Sequence, residues 1–505
     1  MSEARHASHR PEHEMSPLSE QRSQPTMAAD ATTDTLPPDA ATEHSIEYLS
    51  RALDAAPLDV TLHAQMLAAA RAANDEPLST AHELALAAFD LLGATTTDKL
   101  ALVLYNVATV YAMKGRREAA IRWYRHALRI HPDLAIAHQN LAAALEREGL
   151  REEACAHREQ AYRLQRVFTD AALGNEERRV LILGVGKGTG NVPVDALLSH
   201  LNTSRIRYAI DYADEAEDAQ LPPYDLVFNG IGDPDVATPL AARIARFAAQ
   251  CDRSMLNPPE AIERTHRHKT AELLARVQDV IVPRCLRIDA RPADLKTLTQ
   301  QIEQSGLSFP LLMRPLATHG GERLELHTSL ASLWSALVEL EAPCYLTAWH
   351  DFRSADGYYR KYRIIYVDGE AYPYHLAISS HWMVHYFSAG MVEQPWKLDE
   401  ERRFLADPFA ALGKRANEAI VAIGRQLALD YGGIDFSLTA DGQVLVFETN
   451  ATMLVHREPR FGPLAHKNAY IDQIVAAFER MLQARTRSRP TQAGQHKSSA
   501  LSLTS

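Results

Sequence analysis

The sequence of 505 residues contains little cysteine. Its four cysteines, Cys155, Cys251, Cys285 and Cys344, lie far apart, and no two of them form a C-x-x-C pair or a zinc-ligand spacing. We therefore expect neither a disulfide framework nor a structural zinc site. This cysteine pattern fits a protein of the reducing cytoplasm.

Long apolar runs and an excess of basic residues are also missing. No apolar run approaches the ~20 residues needed to cross a bilayer, and residues 1–38 lack the apolar core of a signal peptide. The formal net charge is −11, whereas broad nucleic-acid binding requires a basic face. We expect a soluble, cytoplasmic protein that binds neither nucleic acid nor a membrane.

The length indicates two or three domains, since one core seldom grows this large. Hydrophobic residues make up 46% and charged residues 23%, as in globular proteins. Residues 1–44 and the tail 485–505 are polar, with little to bury, and are predicted to be disordered. Residues 174–177 are predicted to be a polar linker.

Residues 45–170 have a helical pattern with an internal repeat. Matching residues recur 34 positions apart, namely Gly115 and Gly149, Asn106 and Asn140, Ala108 and Ala142, Ala120 and Ala154, and Ala127 and Ala161. This is similar to tetratricopeptide repeats, whose small residues let paired helices pack closely. The resemblance implies an all-α stack that binds a peptide or protein partner. A structural cap or a homo-oligomer surface is the alternative role.

The most informative stretch is 431–450. Alternating apolar residues, a turn at 440–442 and a second apolar run predict a β-hairpin. Asp435 lies on its first strand, while Glu448 and Asn450, two positions apart, project from one face of the second. These oxygen ligands suit Mg²⁺, which proteins usually bind through one or two carboxylates and substrate phosphates. We expect a Mg²⁺ site at these three residues, with Mn²⁺ as an alternative ion. The empty site would hold carboxylates that repel each other.

The thirteen-residue step from Asp435 to Glu448 and the Glu-x-Asn motif ending at Asn450 resemble the metal-binding end of the ATP-grasp fold. The resemblance implies a multidomain chain in which helical repeats precede an α/β domain at 178–256 and an α+β ATP-grasp domain at 257–484. It also implies that ATP is used and converted to ADP and phosphate. The likeness covers about three-fifths of the chain.

The predicted α/β domain begins with a strand and a glycine-rich turn at 180–191. The glycine spacing fits neither a dinucleotide fingerprint nor a P-loop. Ligands of parallel sheets bind beyond the carboxyl ends of the strands. Gly186, Asn191 and Asn229 are therefore candidate substrate-binding residues.

The resemblance implies further residues that bind the nucleotide. Lys269 and Arg314 would contact phosphate, and Arg314 stands where family members generally have lysine. His319, Gly320 and Gly321 would belong to a mobile loop over the phosphates, because glycines let backbone N–H groups approach oxygen atoms.

A hinge that contacts adenine through main-chain groups is expected at Ala348 and Trp349, again from the resemblance. Lys361 and Arg363 alternate onto one face of a strand, and two inward cations suit a place where phosphate charge gathers. We expect Lys361 to bind phosphate and Arg363 to stabilise charge that develops during transfer.

Histidine and aromatic residues are concentrated at 373–386. His375, His381 and His385, together with His456, are candidate substrate-binding residues, although their spacing is not that of a metal site.

The leading hypothesis is an ATP- and Mg²⁺-dependent carboxylate–amine (or peptide) ligase that acts through an acyl phosphate. The first alternative is an ATP-grasp kinase that phosphorylates a hydroxyl group, because the metal motif serves both reactions. The second is a repeat adaptor whose nucleotide domain binds ATP without reacting.

Overall fold

The computed structural model describes residues 38–92, 96–318, 320–340 and 343–487. Within these ranges no helix has the length and apolar character required to cross a membrane. The first helix begins at Pro38, inside the segment 1–44 for which the sequence predicts disorder, and the last ends at Arg487. The remainder of both predicted disordered segments lies outside the described residues. The chain divides into two compact units, residues 1–91 and 92–505.

The described part of the first unit is helical, with its last helix ending at the unit boundary. Its helices are α1 (Pro38–Ala55), α2 (Val60–Ala72) and α3 (Glu76–Leu92). Asp59 begins α2 by accepting hydrogen bonds from the backbone N–H groups of Thr61 and Leu62 at 2.8 and 3.1 Å. Such a cap satisfies N–H groups that have no partner inside the helix.

The second unit opens with four more helices. These are α4 (Thr97–Met113), α5 (Arg117–Ile130), α6 (Ala135–Arg147) and α7 (Arg151–Leu164). Gly115 and Gly149, which the sequence places 34 apart, follow α4 and α6 with the same φ of +78°. Glycine adopts this left-handed conformation without steric cost. The helices and the repeat are thus observed, while the tetratricopeptide assignment remains a prediction.

Helix α7 leads directly into a five-stranded sheet. Its elements are β1 (Val167–Asp170), β2 (Arg178–Gly184), β3 (Thr203–Ala209), β4 (Leu226–Asn229), α8 (Pro234–Ala237), α9 (Ala241–Gln250) and β5 (Met255–Leu256). The strand order is β1-β3-β2-β4-β5, with β1 antiparallel to β3 and the others parallel. The sheet therefore starts before residue 178, the boundary predicted from the sequence.

The predicted linker is also bound to this sheet region. The N–H groups of Leu173, Gly174 and Glu177 donate to the carbonyl groups of His200, Leu201 and Asn202 at 2.7, 3.0 and 2.8 Å. Its polar composition therefore reflects an exposed connection held by backbone hydrogen bonds, and not a boundary between independent domains.

Two further sheets follow. Their elements are α10 (Pro259–Glu263), α11 (Thr270–Leu273), β6 (Val280–Ile281), β7 (Cys285–Ile288), α12 (Leu295–Gln304), β8 (Leu311–Pro315), β9 (Glu325–His327), α13 (Leu330–Leu340), β10 (Cys344–Ala348), β11 (Tyr359–Val367), β12 (Glu370–Ser379), α14 (Pro395–Ala406), α15 (Pro408–Leu412), α16 (Lys414–Leu427), β13 (Tyr431–Leu438), β14 (Val444–Asn450) and α17 (Asn468–Arg487). The first has the order β7-β10-β8-β9, and the second has the order β12-β11-β13-β14-β6.

Helix α17 joins the first and third sheets through one core. The ring of Phe478 meets Phe228 of β4 and Tyr431 of β13 edge to face, at centroid distances of 5.9 and 5.7 Å. Arg178 of β2 donates two hydrogen bonds to the Glu479 carboxylate at 2.6 and 2.7 Å. The regions 178–256 and 257–484 are therefore packed as one body.

Candidate active site

Three charged residues stand opposite one another on neighbouring strands. Arg363 of β11 pairs with Asp435 of β13, and Asp435 pairs with Glu448 of β14. Asn450 lies two positions beyond Glu448, opposite Gly433. The predicted hairpin and the predicted placement of Asp435, Glu448 and Asn450 on its two strands are thus confirmed.

The carboxylate of Asp435 is buried between two cations. Arg363 donates to it through Nε at 2.6 Å and Nη2 at 2.8 Å, and Lys361 Nζ lies 3.3 Å away. Burial alone would raise the pKa of Asp435, but the charges of Arg363 and Lys361 outweigh it and hold the pKa well below its usual range. As predicted, Lys361 and Arg363 share one face of their strand.

Glu448 is held by a different pair of arginines. Arg267 forms an ion pair with its carboxylate, and Arg314 Nη1 lies 3.9 Å from Oε2. Burial by itself raises the pKa of Glu448, but the nearby cations, Arg267 foremost, lower it to about 2. Burial, followed by the charge of Arg267, lowers the pKa of Arg314 to about 10. Cations thus outnumber carboxylates, so the cluster is suited to a polyanion.

A cavity of about 210 Å³ opens beside this cluster. One end is charged and lined by Arg267, Arg314, Lys361, Arg363, Asp435 and Glu448. The other end is largely apolar and lined by Val282, Leu312, Leu324, Trp349, Phe352, Trp382, Val384 and Phe447. The Trp349 and Trp382 rings meet edge to face at 5.2 Å. A ligand with a flat apolar part and an anionic tail would match both ends.

A second cavity of about 320 Å³ adjoins the first. The two share five lining residues, Gly320, Lys361, Arg363, His385 and Glu448. The second also contacts Lys467, whose side chain is only 1% exposed. Lys467 Nζ lies 3.0 Å from a Glu458 oxygen and 4.1 Å from the ring centre of Tyr386. Two ligands bound in these cavities would meet at Lys361 and Arg363.

Comparison with known proteins finds no matching family model and no matching curated protein. Solved structures do match. The ATP-grasp ligase PsnB, complexed with a phosphomimetic precursor variant, Mg and ADP, is 14% identical, with 61% of this chain and 100% of PsnB covered and a TM-score of 0.34. The D-alanine–D-alanine ligase of Bacillus anthracis is 14% identical, with 61% and 99% covered and a TM-score of 0.36. The VanG D-Ala:D-Ser ligase of Enterococcus faecalis is 12% identical, with 62% and 99% covered and a TM-score of 0.39.

The residues predicted to bind phosphate divide into two groups. Arg314, Gly320 and Gly321 line the first cavity, and both glycines have positive φ, +63° and +83°. His319 lies outside the described residues. Lys269 was predicted to reach phosphate, but its side chain is 40% exposed, pairs with Glu263 and lines neither cavity.

Arg267, and not the predicted Lys269, is the cation of this segment that lines the first cavity. It lies two residues earlier, in the irregular turn before α11, and points at Glu448. The basic run at 264–269 signals a cation here, yet the pattern does not show which side chain turns inward, because no helix has started.

The proposed adenine hinge also borders the first cavity, but its backbone N–H groups already donate hydrogen bonds within the protein. The Ala348 N–H donates to the Arg284 carbonyl at 2.9 Å, and the Trp349 N–H donates to the Pro310 carbonyl at 3.1 Å. Adenine contacts through these two N–H groups would break existing bonds. The backbone carbonyl groups and the Trp349 ring remain to contact a nucleotide base.

The candidates from the α/β sheet are mainly structural. The Gly186 N–H donates to Asp211 at 3.0 Å, and Asn229 is buried, donating to the Asn257 carbonyl at 3.0 Å. Asn191 borders the second cavity, but its amide bonds both the N–H and the carbonyl of Val185, at 2.9 and 2.8 Å. Neither Gly186 nor Asn229 lines either cavity.

Three of the four candidate histidines meet in the second cavity. His375, His385 and His456 line it, whereas His381 is exposed and lines neither cavity. The Nδ1 atom of His381 instead accepts a hydrogen bond from the Met383 N–H at 3.2 Å.

The acidic residues suit a metal ion only in company with phosphate. Within the described ranges no group of three or more His, Cys, Asp or Glu side chains is placed to hold a metal ion. Asp435 and Glu448 are neutralised by cations, and the Asn450 Oδ1 atom accepts from the Thr452 N–H at 2.6 Å. Carboxylate and amide oxygen atoms are ligand types that Mg²⁺ takes in proteins, usually together with substrate phosphates, so the chemistry of these three residues fits that ion.

Proposed function

We propose that the chain is an ATP- and Mg²⁺-dependent carboxylate–amine ligase that forms an acyl phosphate. The observation that carries the proposal is the junction of two cavities at Lys361, Arg363 and Glu448. One cavity combines an apolar end with a cationic end, as a nucleotide requires. The other brings an anionic acceptor to the same two cations.

The nucleotide base would lie in the apolar end beside Trp349 and Phe447. Its phosphates would lie on Arg267, Arg314 and Lys361, where charge-assisted hydrogen bonds are strong because these side chains are largely buried. Backbone N–H groups of Gly320 and Gly321 would close over the phosphates and limit hydrolysis of the intermediate.

The carboxylate substrate would enter from the second cavity and attack the terminal phosphoryl group. Arg363 uses Nε and Nη2 for Asp435, which leaves Nη1 for the transferring phosphate and the later oxyanion. Asp435 thus positions Arg363. Mg²⁺, held by Glu448, Asn450 and Asp435, would neutralise phosphate charge. An amine then displaces phosphate from the acyl phosphate.

The second cavity favours this reaction over phosphorylation of a hydroxyl group. Arg363 and the buried Lys467 line it, and cations of this kind select a carboxylate more strongly than a neutral alcohol.

The helices before residue 165 carry no part of either cavity. We assign them the recruitment of a peptide or protein partner.

Hydroxylamine trapping tests the proposal. The full chain is incubated with ATP, Mg²⁺, hydroxylamine and a mixture of the standard amino acids and dipeptides, and products are identified by mass spectrometry. Hydroxamates that require ATP support an acyl phosphate. Arg363→Lys, which keeps the charge but loses the paired hydrogen bonds, should reduce them by about 10²–10³-fold, as for loss of an oxyanion donor. ADP with a phosphate ester and no hydroxamate would establish the kinase, and nucleotide binding without turnover would establish the adaptor.

A further inference from the structure

A ligase of this kind needs a group that removes a proton from the incoming amine. At neutral pH most amines are protonated, and an ammonium group has no lone pair with which to attack. The base must border the junction of the two cavities, be unprotonated, and have a nitrogen or oxygen atom free to accept a proton.

The two carboxylates at the junction are unsuited to this role. Asp435 is bound by Arg363 and Lys361, and Glu448 is bound by Arg267. Their neighbouring cations keep both groups ionised and hold their pKa values low. A carboxylate of such low basicity takes up a proton poorly at neutral pH.

Two other histidines of the second cavity meet fewer of these requirements. His375 is buried against the Tyr386 ring, at a centroid distance of 4.9 Å, and its Nε2 atom has no hydrogen-bond partner, but it lines the second cavity alone and so does not border the junction. His456 Nδ1 lies 3.0 Å from the Tyr374 hydroxyl group, and its Nε2 lies 3.4 Å from Glu458. Both of its ring nitrogens therefore have partners before any substrate arrives.

His385 meets all the requirements. It is half-buried and is the one histidine among the described residues that lines both cavities. A Cβ atom placed on Gly320 would lie 3.5 Å from its Nε2 atom, so the ring borders the glycine loop at the junction. Among the described residues neither of its ring nitrogens has a hydrogen-bond partner. The ring contacts Phe387, at a centroid distance of 5.6 Å.

We propose that His385 is the general base that accepts the proton of the attacking amine. This assignment rests on the proposed ligase reaction. A ring nitrogen takes the ammonium proton, and the freed lone pair forms the bond to the acyl carbon. The bond from that carbon to the phosphate oxygen breaks, its electron pair leaves with phosphate, and the departing phosphate takes the second proton that the nitrogen loses as the amide forms. The imidazolium group then releases its proton to water.

The charges that face His385 keep it in the form a base requires. Partial burial, followed by the charges of Lys361 and Arg363, lowers its pKa, and Asp435 opposes this only in part. The imidazole is thus neutral at pH 7. Its proton-accepting form is lost as the pH falls through this lowered pKa, so ligation should decline on the acidic side.

Comparing two nucleophiles distinguishes whether His385 acts as a general base or only binds substrate. Hydroxylamine is largely uncharged at neutral pH and needs no base, whereas amino-acid amines are protonated. In His385→Gln, amide formation from the mixture of standard amino acids should fall by about 10²–10⁴-fold, while hydroxamate formation should fall far less. Imidazole added to His385→Ala should restore part of the amide product. His381→Gln, at the exposed histidine outside both cavities, is the matched control.

Three results would overturn the assignment. The first is equal loss of amide and hydroxamate in His385→Gln, which would make His385 a binding residue. The second is full amide formation by that variant. The third needs no substrate: an NMR titration of the wild-type ring, assigned by its loss in His385→Gln, that shows a protonated imidazole at pH 7. Wild-type protein that forms no hydroxamate would instead contradict the ligase itself, and the titration would still decide whether His385 can act as a base.

Discussion

The carboxylate of Asp435 accepts two hydrogen bonds from the guanidinium group of Arg363, at 2.6 and 2.8 Å. The two residues lie opposite each other on β13 and β11, and Asp435 is only 2% exposed. The sequence predicts an empty metal site in which carboxylates repel each other. The structure shows a neutralised cluster instead, so these residues also contribute to the stability of the fold.

Asp435→Asn should therefore destabilise the protein in the absence of nucleotide. Removing one partner of a buried ion pair leaves the other charge without compensation, which costs roughly 3–5 kcal/mol. Urea unfolding monitored by circular dichroism measures the change in the free energy of unfolding. The control is Asp399→Asn, because Asp399 pairs with Arg402 on an exposed surface. Equal stability of the two variants would show that the Arg363 pair carries no net stabilisation.

The Glu448 carboxylate should make stability depend on acidity. Its folded-state pKa is about 2, below the ordinary value near 4.5. The stabilisation is therefore complete above pH 4.5 and is lost as the pH falls towards 2. In Glu448→Gln this part of the acid dependence should disappear. Unfolding free energies measured between pH 5 and 2 test this, and parallel curves for wild type and variant would contradict it.

Arg267, and not Lys269, should bind the nucleotide. Loss of a charge-assisted contact is worth ~1.5–3 kcal/mol, so Arg267→Ala should raise the ATP dissociation constant by about tenfold or more. Lys269→Ala should leave it unchanged, because this side chain pairs with Glu263 outside the cavity. Calorimetric titration with ATP and Mg²⁺ compares the two variants. If Lys269→Ala weakened ATP binding and Arg267→Ala did not, the prediction made from the sequence would be correct instead.

Local patterns predicted the strand positions of the central charged residues. Period-two alternation placed Lys361 and Arg363 on one face, and turn chemistry placed Asp435 and Glu448 on paired strands. Both features are encoded within a few neighbouring residues. The pairing of Glu448 with Arg267 is not encoded locally, because it joins residues 181 positions apart. Likewise, the sequence around Ala348 does not show that the N–H groups of Ala348 and Trp349 already donate hydrogen bonds to distant carbonyl groups.

The junction between the helices and the first sheet was missed for the same reason. Tyr162 of α7 stacks on Tyr212 at 5.5 Å, and a Cβ atom on Gly186 would lie 2.7 Å from the rings of both tyrosines. Gly186 is thus required for close packing between distant segments. The sequence suggests instead that this glycine faces a substrate.

Two truncations test this junction. A chain that begins at residue 176 loses α7 and β1, exposing Gly186, Tyr212 and the edge of β3 to solvent, so it should aggregate or unfold readily. A chain that begins at residue 92, the start of the second unit, keeps these contacts and should remain folded and bind ATP. Solubility and thermal unfolding of both chains provide the comparison. A shorter chain as stable as the longer one would show that α7 and β1 are dispensable.

Transfer of a labelled oxygen atom tests the central claim most directly. The full chain is given ATP, Mg²⁺ and the amino-acid and dipeptide mixture with heavy oxygen in the carboxylate groups, and the released phosphate is analysed by mass spectrometry. Attack of a carboxylate on ATP, followed by amine displacement, leaves one labelled oxygen atom in each phosphate produced by ligation. We expect that label, in proportion to the amide formed. Amide or ADP formation with unlabelled phosphate would contradict an acyl phosphate and the account built on it.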